Sequence, residues 1–268
     1  MKQIGILGLG WLGAPLARNL MSAGFQVKGT TTTTAKKELL SKQALNAFQL
    51  KITPKGLTGE IESFFCNVDV LIVNIPPKVE KDDANSFIEA IQHLKAKLLS
   101  YEIQKVIYIS TTSVFKDAMH FPTYTEASKP NANTPKAIQL IEAEHTFLNL
   151  PYTKSAIVRF GGLVGEKRHP VFYLAGKKNL ANPEAPVNLI HLEDCISLIK
   201  AILLQNDFNQ IFHGVNSTDL SKSDFYTTAA ENRNLDIPIF EFKPSFGKKI
   251  SADFTESKLQ IQLIKKVI

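Results

Sequence analysis

Three glycines near the amino terminus have the spacing of a phosphate-binding turn. Gly8, Gly10 and Gly13 fit the pattern Gly-x-Gly-x-x-Gly, after a short apolar run and before a helical pattern. In such a turn the first glycine makes the tight bend, the second lets the backbone approach a pyrophosphate, and the third lets helix and strand pack closely. The helix amino terminus then presents N–H groups and a positive dipole end to the phosphates. The pattern predicts a dinucleotide site that also includes Trp11 and Leu12.

A run of hydroxyl side chains follows the second predicted strand. An NAD site would place an acid about 20 residues beyond the turn, to hold the ribose 2′-hydroxyl, and the sequence has none there. Instead Thr30 to Thr34 are followed by Lys36 and Lys37. Hydroxyl donors and positive charge suit a 2′-phosphate, so the pattern favours NADP, with NAD still open and with Thr31 and Thr32 as candidate contacts. A polar loop with a solvated helix start is the alternative.

A polar residue and two prolines end the fourth predicted strand. Asn74, Pro76 and Pro77 lie where open α/β sheets bind their ligands, outside the carboxyl ends of the strands. The rigid rings could form a wall against the adenosine or nicotinamide ribose. The alternative is that the prolines only terminate the strand.

The elements that position these residues alternate between strand and helix. We predict an α/β fold, with a Rossmann-type doubly wound parallel sheet and a small, discontinuous carboxy-terminal substrate lobe. Residues 1–160 form the NAD(P)-binding domain, and 161–268 are a mixed segment that supplies the small lobe and returns elements to the main sheet. Apolar periodicity gives strands at 3–8, 25–29, 48–52, 68–75, 105–110, 155–160, 188–190 and 211–215, and helices at 11–21, 36–45, 87–98, 134–148, 192–204 and 222–232.

Composition and charge exclude several classes of protein. The 268 residues are 44% hydrophobic and 21% charged, with no apolar run long enough to cross a bilayer. The net charge of +6 is spread along the chain, without a clustered basic face or a nucleic-acid-reading element. We expect the first strand to begin close to Met1, without a leader segment before it. We expect a cytoplasmic protein whose partner is a small-molecule substrate, with neither nucleic acid nor membrane as a partner.

The two cysteines carry no metal or disulfide signature. Cys66 and Cys195 lie far apart in the sequence, and neither has a neighbouring cysteine. We therefore expect no disulfide and no metal site, and we expect both thiols to be buried.

Several short segments spread over most of the chain share the motifs of one family. They are the Ser/Thr-rich strand end at 110–115, Glu126 and Pro130 before the next helix, Glu142 within it, the loop at 159–165 with Arg168 and His169, and the segment at 187–194. Together they resemble the extended short-chain dehydrogenase/reductases of the NAD-dependent epimerase/dehydratase type. The resemblance implies NAD(P) binding, a substrate loop that includes Arg168 and His169, and a homodimer.

The sequence departs from this family at its acid/base pair. The family uses Tyr-x-x-x-Lys on the helix after the Ser/Thr strand, where tyrosine transfers the proton and lysine lowers its pKa. Here those positions fall on Thr134 and Ile138, and neither can replace the group it displaces. The chain thus resembles an atypical branch that lacks the pair. Thr111 matches the catalytic Ser/Thr and could hydrogen-bond a substrate oxygen, or it could satisfy local backbone.

Three hypotheses about function remain open. The first is an epimerase/dehydratase-like oxidoreductase that acts on a small hydroxylated or nucleotide-sugar-like substrate by hydride transfer. The second is a non-catalytic NADPH-binding sensor or regulatory protein, because the acid/base pair is missing. The third rests on a glycine turn very similar to that of β-hydroxyacid dehydrogenases of the 6-phosphogluconate type. Those would continue into an all-helical domain, and the strand-rich sequence after Ser155 argues against it.

Overall fold

The computed structural model describes residues 2–76, 86–216 and 218–268. Strands and helices alternate through the first part of the chain. Their bounds are β1 (Gln3–Leu7), α1 (Gly13–Ser22), β2 (Gln26–Thr31), α2 (Thr34–Lys42), β3 (Ala47–Thr53), β4 (Gly56–Gly59), α3 (Ile61–Phe65), β5 (Val70–Val73), α4 (Ser86–Ser100) and β6 (Lys105–Thr111).

The remaining elements are shorter and less regular. They are β7 (Thr123–Tyr124), α5 (Pro135–Leu148), β8 (Lys154–Phe160), β9 (Gly162–Val164), α6 (Val171–Leu174), β10 (Leu189–His191), α7 (Leu192–Gln205), β11 (Gln210–Gly214), α8 (Lys222–Glu231), β12 (Lys249–Ile250) and α9 (Asp253–Leu259). A single 3₁₀ turn at Thr112–Val114 follows β6.

Eight strands form the main sheet, in the order β11-β8-β6-β5-β1-β2-β3-β4. β1 pairs in parallel with both β2 and β5, so the chain starts in the middle of the sheet and builds outward on both sides. The strand order reverses between β1 and β5, which is the switch point at which such sheets bind ligands. β1 and β5 are almost wholly buried, as strands covered on both faces must be. The predicted Rossmann-type α/β fold is confirmed.

A hairpin and a short helix lie where the sequence analysis predicted no element. β4 pairs antiparallel with β3 at the edge of the sheet, and α3 follows it. The turn between the two strands needs Gly56, whose φ is +123°, and Thr53 donates its hydroxyl proton to the Gly56 carbonyl oxygen at 3.0 Å. β4 has the sequence Gly-Leu-Thr-Gly, which lacks the apolar alternation that identifies a strand.

The chain divides into two compact units. Unit 1 comprises Met1–Ser110, Thr134–Val158 and Ile199–Ile211, and unit 2 comprises Thr111–Asn133, Arg159–Leu198 and Phe212–Ile268. The core of unit 1 draws apolar side chains from several strands and helices, among them Leu7, Phe64, Leu71, Leu94, Val106 and Phe147. Unit 2 has its own core, which includes Val164, Val171, Phe225, Tyr226, Ala229 and Val267.

The cysteines and the helices bear on two further expectations. Cys195 is buried, and burial raises the pKa of its thiol well above the usual value. Cys66 is exposed, so the expectation that both thiols are buried was wrong for this residue, which lies just beyond the short helix α3.

Across the described ranges, no helix is both long enough and apolar enough to cross a membrane.

Candidate functional site

The three glycines of the turn differ in what a side chain would meet. Gly8 has a φ of +102°, and a Cβ there would lie 2.5 Å from the Asn74 carbonyl oxygen. A Cβ on Gly13 would collide with the Gly8 carbonyl oxygen. Among the described residues, none would come within 4 Å of a Cβ on Gly10. The fold itself therefore requires Gly8 and Gly13, whereas the space beside Gly10 is open to a ligand.

Hydrogen bonds from neighbouring strands hold the turn in place. The Gly8 N–H donates to Thr30 Oγ1 at 3.1 Å, and the Leu9 N–H donates to the Thr30 carbonyl oxygen at 2.7 Å. On the other side, Asn74 Nδ2 donates to the Gly8 carbonyl oxygen at 3.1 Å. Asn74 thus supports the turn from the end of β5. Thr30 is a positioning residue that the sequence analysis did not select from the threonine run.

The amino terminus of α1 offers an environment suited to an anion. No side chain of the described residues caps this helix, and its first turn contains no acidic residue. Leu12 is buried and anchors the start of the helix, while Trp11 is half-buried. Uncapped N–H groups and the positive dipole end together favour a phosphate at this position.

The end of β2 and the start of α2 carry the candidate contacts for the ribose. Thr31 is buried at the end of β2, and Thr32 is exposed. Thr33 caps α2, and its Oγ1 accepts the Lys36 N–H at 3.4 Å. The Lys36 side chain is exposed and forms no ion pair with any described residue.

Lys37 does not supply the free charge that its position suggested. Its Nζ donates to both carboxylate oxygens of Glu60 at 2.8 Å. Glu60 also accepts the Gln49 N–H at 2.7 Å, and these hydrogen bonds lower the pKa of its carboxyl group. The expectation of positive charge from both lysines is therefore corrected for Lys37, whereas Lys36 has no ion-pair partner among the described residues.

The prolines after β5 differ in what the structure describes. Pro76 is exposed, immediately beyond the strand. Pro77 lies outside the described residues, so its predicted contact with the cofactor stays a prediction.

Unit 2 contains a cavity of about 310 Å³ beside Thr111. Thr111 is half-buried, and its Oγ1 accepts the Ser113 N–H at 3.3 Å, which satisfies local backbone as the structural alternative predicted. The hydroxyl proton stays available to a ligand, because that bond uses only a lone pair. The cavity is lined by Thr111, Thr112, Ser113, Asp117, Asn182, Ala185, Pro186, Val187, Asn188, Leu189, Lys222, Tyr226, Phe246, Gly247 and Lys248.

The two candidate residues of the substrate loop lie in different environments. His169 is 3% exposed, its Nδ1 accepts the Val171 N–H at 3.1 Å, and its Nε2 lies 2.7 Å from the Val267 carbonyl oxygen. Its ring stacks on Phe225, and burial lowers its pKa. His169 is thus held within the core of unit 2. Arg168 is exposed in a turn that the backbones of residues 165 and 168 close by two hydrogen bonds.

The two positions aligned with the family's acid/base pair serve the helix instead. Thr134 caps α5, and its Oγ1 accepts the Ala137 N–H at 3.2 Å. Ile138 is 49% exposed on the same helix. Neither side chain can exchange a proton near neutral pH. In the part of the chain that the structure describes, no group of three or more His, Cys, Asp or Glu side chains could hold a metal ion.

The fold and the glycine turn define a Rossmann-like α/β protein. Residues 3–131 match the family model for the NAD binding domain of 6-phosphogluconate dehydrogenase. Over 250 residues the chain is 31% identical to protein YeeZ of Escherichia coli K12, a match that covers 92% of this chain and 90% of that protein. The chain belongs to the YeeZ family.

Solved structures share the fold at lower sequence identity. A functionally unknown conserved protein from Silicibacter pomeroyi is 18% identical with a TM-score of 0.78, over 98% of this chain and 94% of that one. UDP-glucuronic acid 4-epimerase from Bacillus cereus, solved in complex with NAD, is 17% identical with a TM-score of 0.79, over 99% and 92%. The described residues beyond the 6-phosphogluconate-type match include strands β8 to β12, not the all-helical domain of the third hypothesis.

Proposed function

We propose that the protein binds a nicotinamide dinucleotide at the glycine turn and uses it as an oxidoreductase. The observation that carries the proposal is the open space beside Gly10, next to the uncapped amino terminus of α1. Gly8 and Gly13 shape the turn for the protein's own backbone, whereas Gly10 leaves room for a pyrophosphate. The NAD bound by the B. cereus epimerase, which has the same fold, supports this assignment.

We propose NADP as the preferred cofactor. The exposed side chains of Thr32 and Lys36, at the end of β2 and the start of α2, support this proposal, since Rossmann-type folds bind the adenosine ribose beyond the second strand. An unpaired ammonium group favours a 2′-phosphate over a 2′-hydroxyl, because a charged hydrogen bond is stronger than a neutral one.

The proposed substrate is a small hydroxylated or nucleotide-sugar-like molecule. When bound, the nicotinamide would exchange a hydride with a substrate carbon. Thr111 lines the unit 2 cavity with a hydroxyl proton free to donate to a substrate oxygen. We assign the chain to an atypical branch of the extended short-chain dehydrogenase/reductases, without the tyrosine and lysine of typical members.

The second candidate function is a non-catalytic NADPH-binding sensor. The observation that favours it is the structural role of Thr134 as a helix cap, with Ile138 in place of a cation. Such a protein would keep the cofactor site without turning over a substrate.

Titration with NADPH, followed by its fluorescence, tests the cofactor assignment. Gly10→Glu places a side chain and a negative charge where the pyrophosphate would lie, so affinity should fall by about tenfold or more, which corresponds to about 1.4 kcal/mol. Ser22→Glu adds the same charge at the exposed far end of α1 and is the matched control. Equal NADPH affinity in the Gly10→Glu and Ser22→Glu proteins would overturn the assignment.

Turnover separates the enzyme from the sensor. NADPH oxidation is measured with a panel of sugar nucleotides, aldehydes and ketones. An enzyme should show turnover that falls sharply in Thr111→Ala and recovers in Thr111→Ser, which keeps the hydroxyl. Tight NADPH binding without turnover on any member of the panel would favour the sensor.

A further inference from the structure

The unit 2 cavity contains polar groups that the glycine turn and Thr111 do not account for. Lys222 and Tyr226 lie one turn apart on α8, so their side chains share one face of the helix. Both line the cavity, together with Thr111. The sequence analysis singled out neither residue, although the spacing of four within a predicted helix was visible.

Tyr226 presents a hydroxyl that has no hydrogen-bond partner in the part of the chain that the structure describes. The residue is only 6% exposed, and its ring packs against Phe225 and His169. Its hydroxyl makes no hydrogen bond to the described residues, yet it is not sealed inside the core as the hydroxyl of Tyr108 is. Burial raises the pKa of Tyr226 to about 12, so the hydroxyl stays protonated and can donate. A buried phenol of this kind has an unused donor that a ligand oxygen could accept.

Lys222 brings positive charge to the same cavity. Its ammonium group forms no ion pair within the described residues and makes one long hydrogen bond, 3.3 Å to the Ala181 carbonyl oxygen. The Phe240 ring centroid lies 6.0 Å away. Burial lowers the pKa of Lys222, and the Asp117 carboxylate partly opposes this. An anion beside Lys222 would restore the stabilisation that the ammonium group loses on leaving water.

The other charged groups of the cavity are already paired. Lys248 lies 3.2 Å from Asp117 Oδ1 and also donates to the Phe115 carbonyl oxygen at 2.5 Å. Asn188 donates to the Lys248 carbonyl oxygen and accepts the Ile250 N–H. Lys248 is thus the ion-pair partner of Asp117, and Lys222 is the cavity cation that has no ion-pair partner among the described residues.

We propose that Lys222 and Tyr226 bind an oxyanion group of the substrate, a phosphate or a carboxylate, in the unit 2 cavity. That the bound anion belongs to a substrate rests on the proposed function. The anion site itself is inferred from the residues of the cavity alone. Lys222 supplies the charge, Tyr226 donates a hydrogen bond, and Thr111 has its hydroxyl proton available at the same cavity. The two α8 residues would select anionic substrates over neutral ones of similar size.

Calorimetric titration with inorganic pyrophosphate and with malonate tests the site. The glycine turn could also bind pyrophosphate, so titrations use Gly10→Glu and, separately, wild-type protein saturated with NADPH. We expect binding in both, and we expect affinity to fall at least about fivefold in Lys222→Ala, since the variant lacks the charged donor that an anion would meet. Tyr226→Phe, which removes only the hydroxyl, should weaken binding by a smaller factor. Pyrophosphate binding without malonate binding would assign a phosphate, and the reverse a carboxylate.

The controls distinguish this inference from the cofactor assignment. Lys249→Ala removes an exposed lysine of unit 2 outside the cavity and should leave anion affinity unchanged. Lys222→Arg keeps the charge and should retain most of the binding. Anion binding that is absent, or equal in Lys222→Ala and wild type, would overturn the inference even if NADPH binds. Anion binding that depends on Lys222 would uphold the site even if NADPH binding fails.

Discussion

Gly10 differs from Gly8 and Gly13 in the space that surrounds the position of a Cβ atom. Backbone carbonyl oxygens would meet a Cβ at Gly8 and at Gly13, whereas no residue that the structure describes would meet one at Gly10. The motif alone predicted that all three glycines belong to the site. The motif also predicted their separate roles, with Gly10 beside the pyrophosphate, but it could not predict that Asn74, 66 residues from Gly8 along the chain, supports the turn.

At the residue scale, Lys37 is paired with Glu60, whereas its neighbour Lys36 forms no ion pair with a described residue. This difference predicts how each lysine affects the cofactor preference. Lys36→Ala should weaken NADPH binding by about five- to tenfold and NADH binding little, because a 2′-phosphate gains about 1–1.5 kcal/mol from an exposed cation. Lys37→Ala should change the ratio of the two affinities much less, since Glu60 holds that ammonium group. Fluorescence titration of both variants with both cofactors measures the ratio. An unchanged NADPH/NADH ratio in Lys36→Ala would contradict the assignment of NADP.

His213 predicts an acid sensitivity of the fold. The ring is fully buried, and burial, aided by the positive charge of Arg159, lowers its pKa from 6.5 to about 4. Between those values the unfolded chain binds a proton that the folded protein excludes. The contribution of neutral His213 to the free energy of unfolding is therefore fully present above about pH 6.5. It is lost as the pH falls towards 4, by about 3 kcal/mol in total.

Chemical denaturation from pH 7 to pH 4 tests this prediction. The free energy of unfolding of wild type should fall more steeply than that of His213→Asn, whatever the stability of the variant at pH 7. His169, whose pKa burial also lowers, is present in both proteins and cancels in the comparison. Parallel pH profiles for the two proteins would show that His213 is not the source.

At the scale of elements, the contact between β1 and α1 depends on the third glycine of the turn. Gly13 is the first residue of α1, and a Cβ there would collide with the Gly8 carbonyl oxygen. This oxygen belongs to the backbone, so it cannot move aside as a flexible side chain could. Gly13→Ala should therefore destabilise the protein by about 2 kcal/mol or more. Gly10→Ala should change stability by less than about 1 kcal/mol, because the site is open and φ is not positive. Similar denaturation midpoints for the two variants would refute this distinction.

Comparison of the predicted with the observed elements shows how much of the fold the sequence could predict. The strongly periodic elements were predicted close to their observed bounds, because buried parallel strands and amphipathic helices have clear apolar patterns. β4 and α3 were missed, since one is a four-residue edge strand without apolar alternation and the other is five residues long. This omission had a consequence at the site. Glu60 lies between the two missed elements, so its pairing with Lys37 could not be foreseen.

At the scale of the whole molecule, the chain alternates between its two units. Unit 2 collects three separate segments, and hydrogen bonds join them over long separations in sequence. Thr255 donates to Glu126 Oε1 from both its N–H and its hydroxyl, and the Lys265 N–H donates to Asp194. Contacts of this range leave no local signal in the sequence. For the same reason, the sequence motifs identified Thr111 but could not predict the other residues that line the unit 2 cavity.

The central claim is that a dinucleotide binds at the turn formed by Gly8, Gly10 and Gly13. The most direct measurement is a crystal structure of the protein grown with saturating NADPH. We predict that the pyrophosphate lies against Gly10, within hydrogen-bond distance of backbone N–H groups at the amino terminus of α1, with the 2′-phosphate beside Lys36. Well-ordered NADPH bound elsewhere, or an empty turn in protein saturated with NADPH, would contradict the claim.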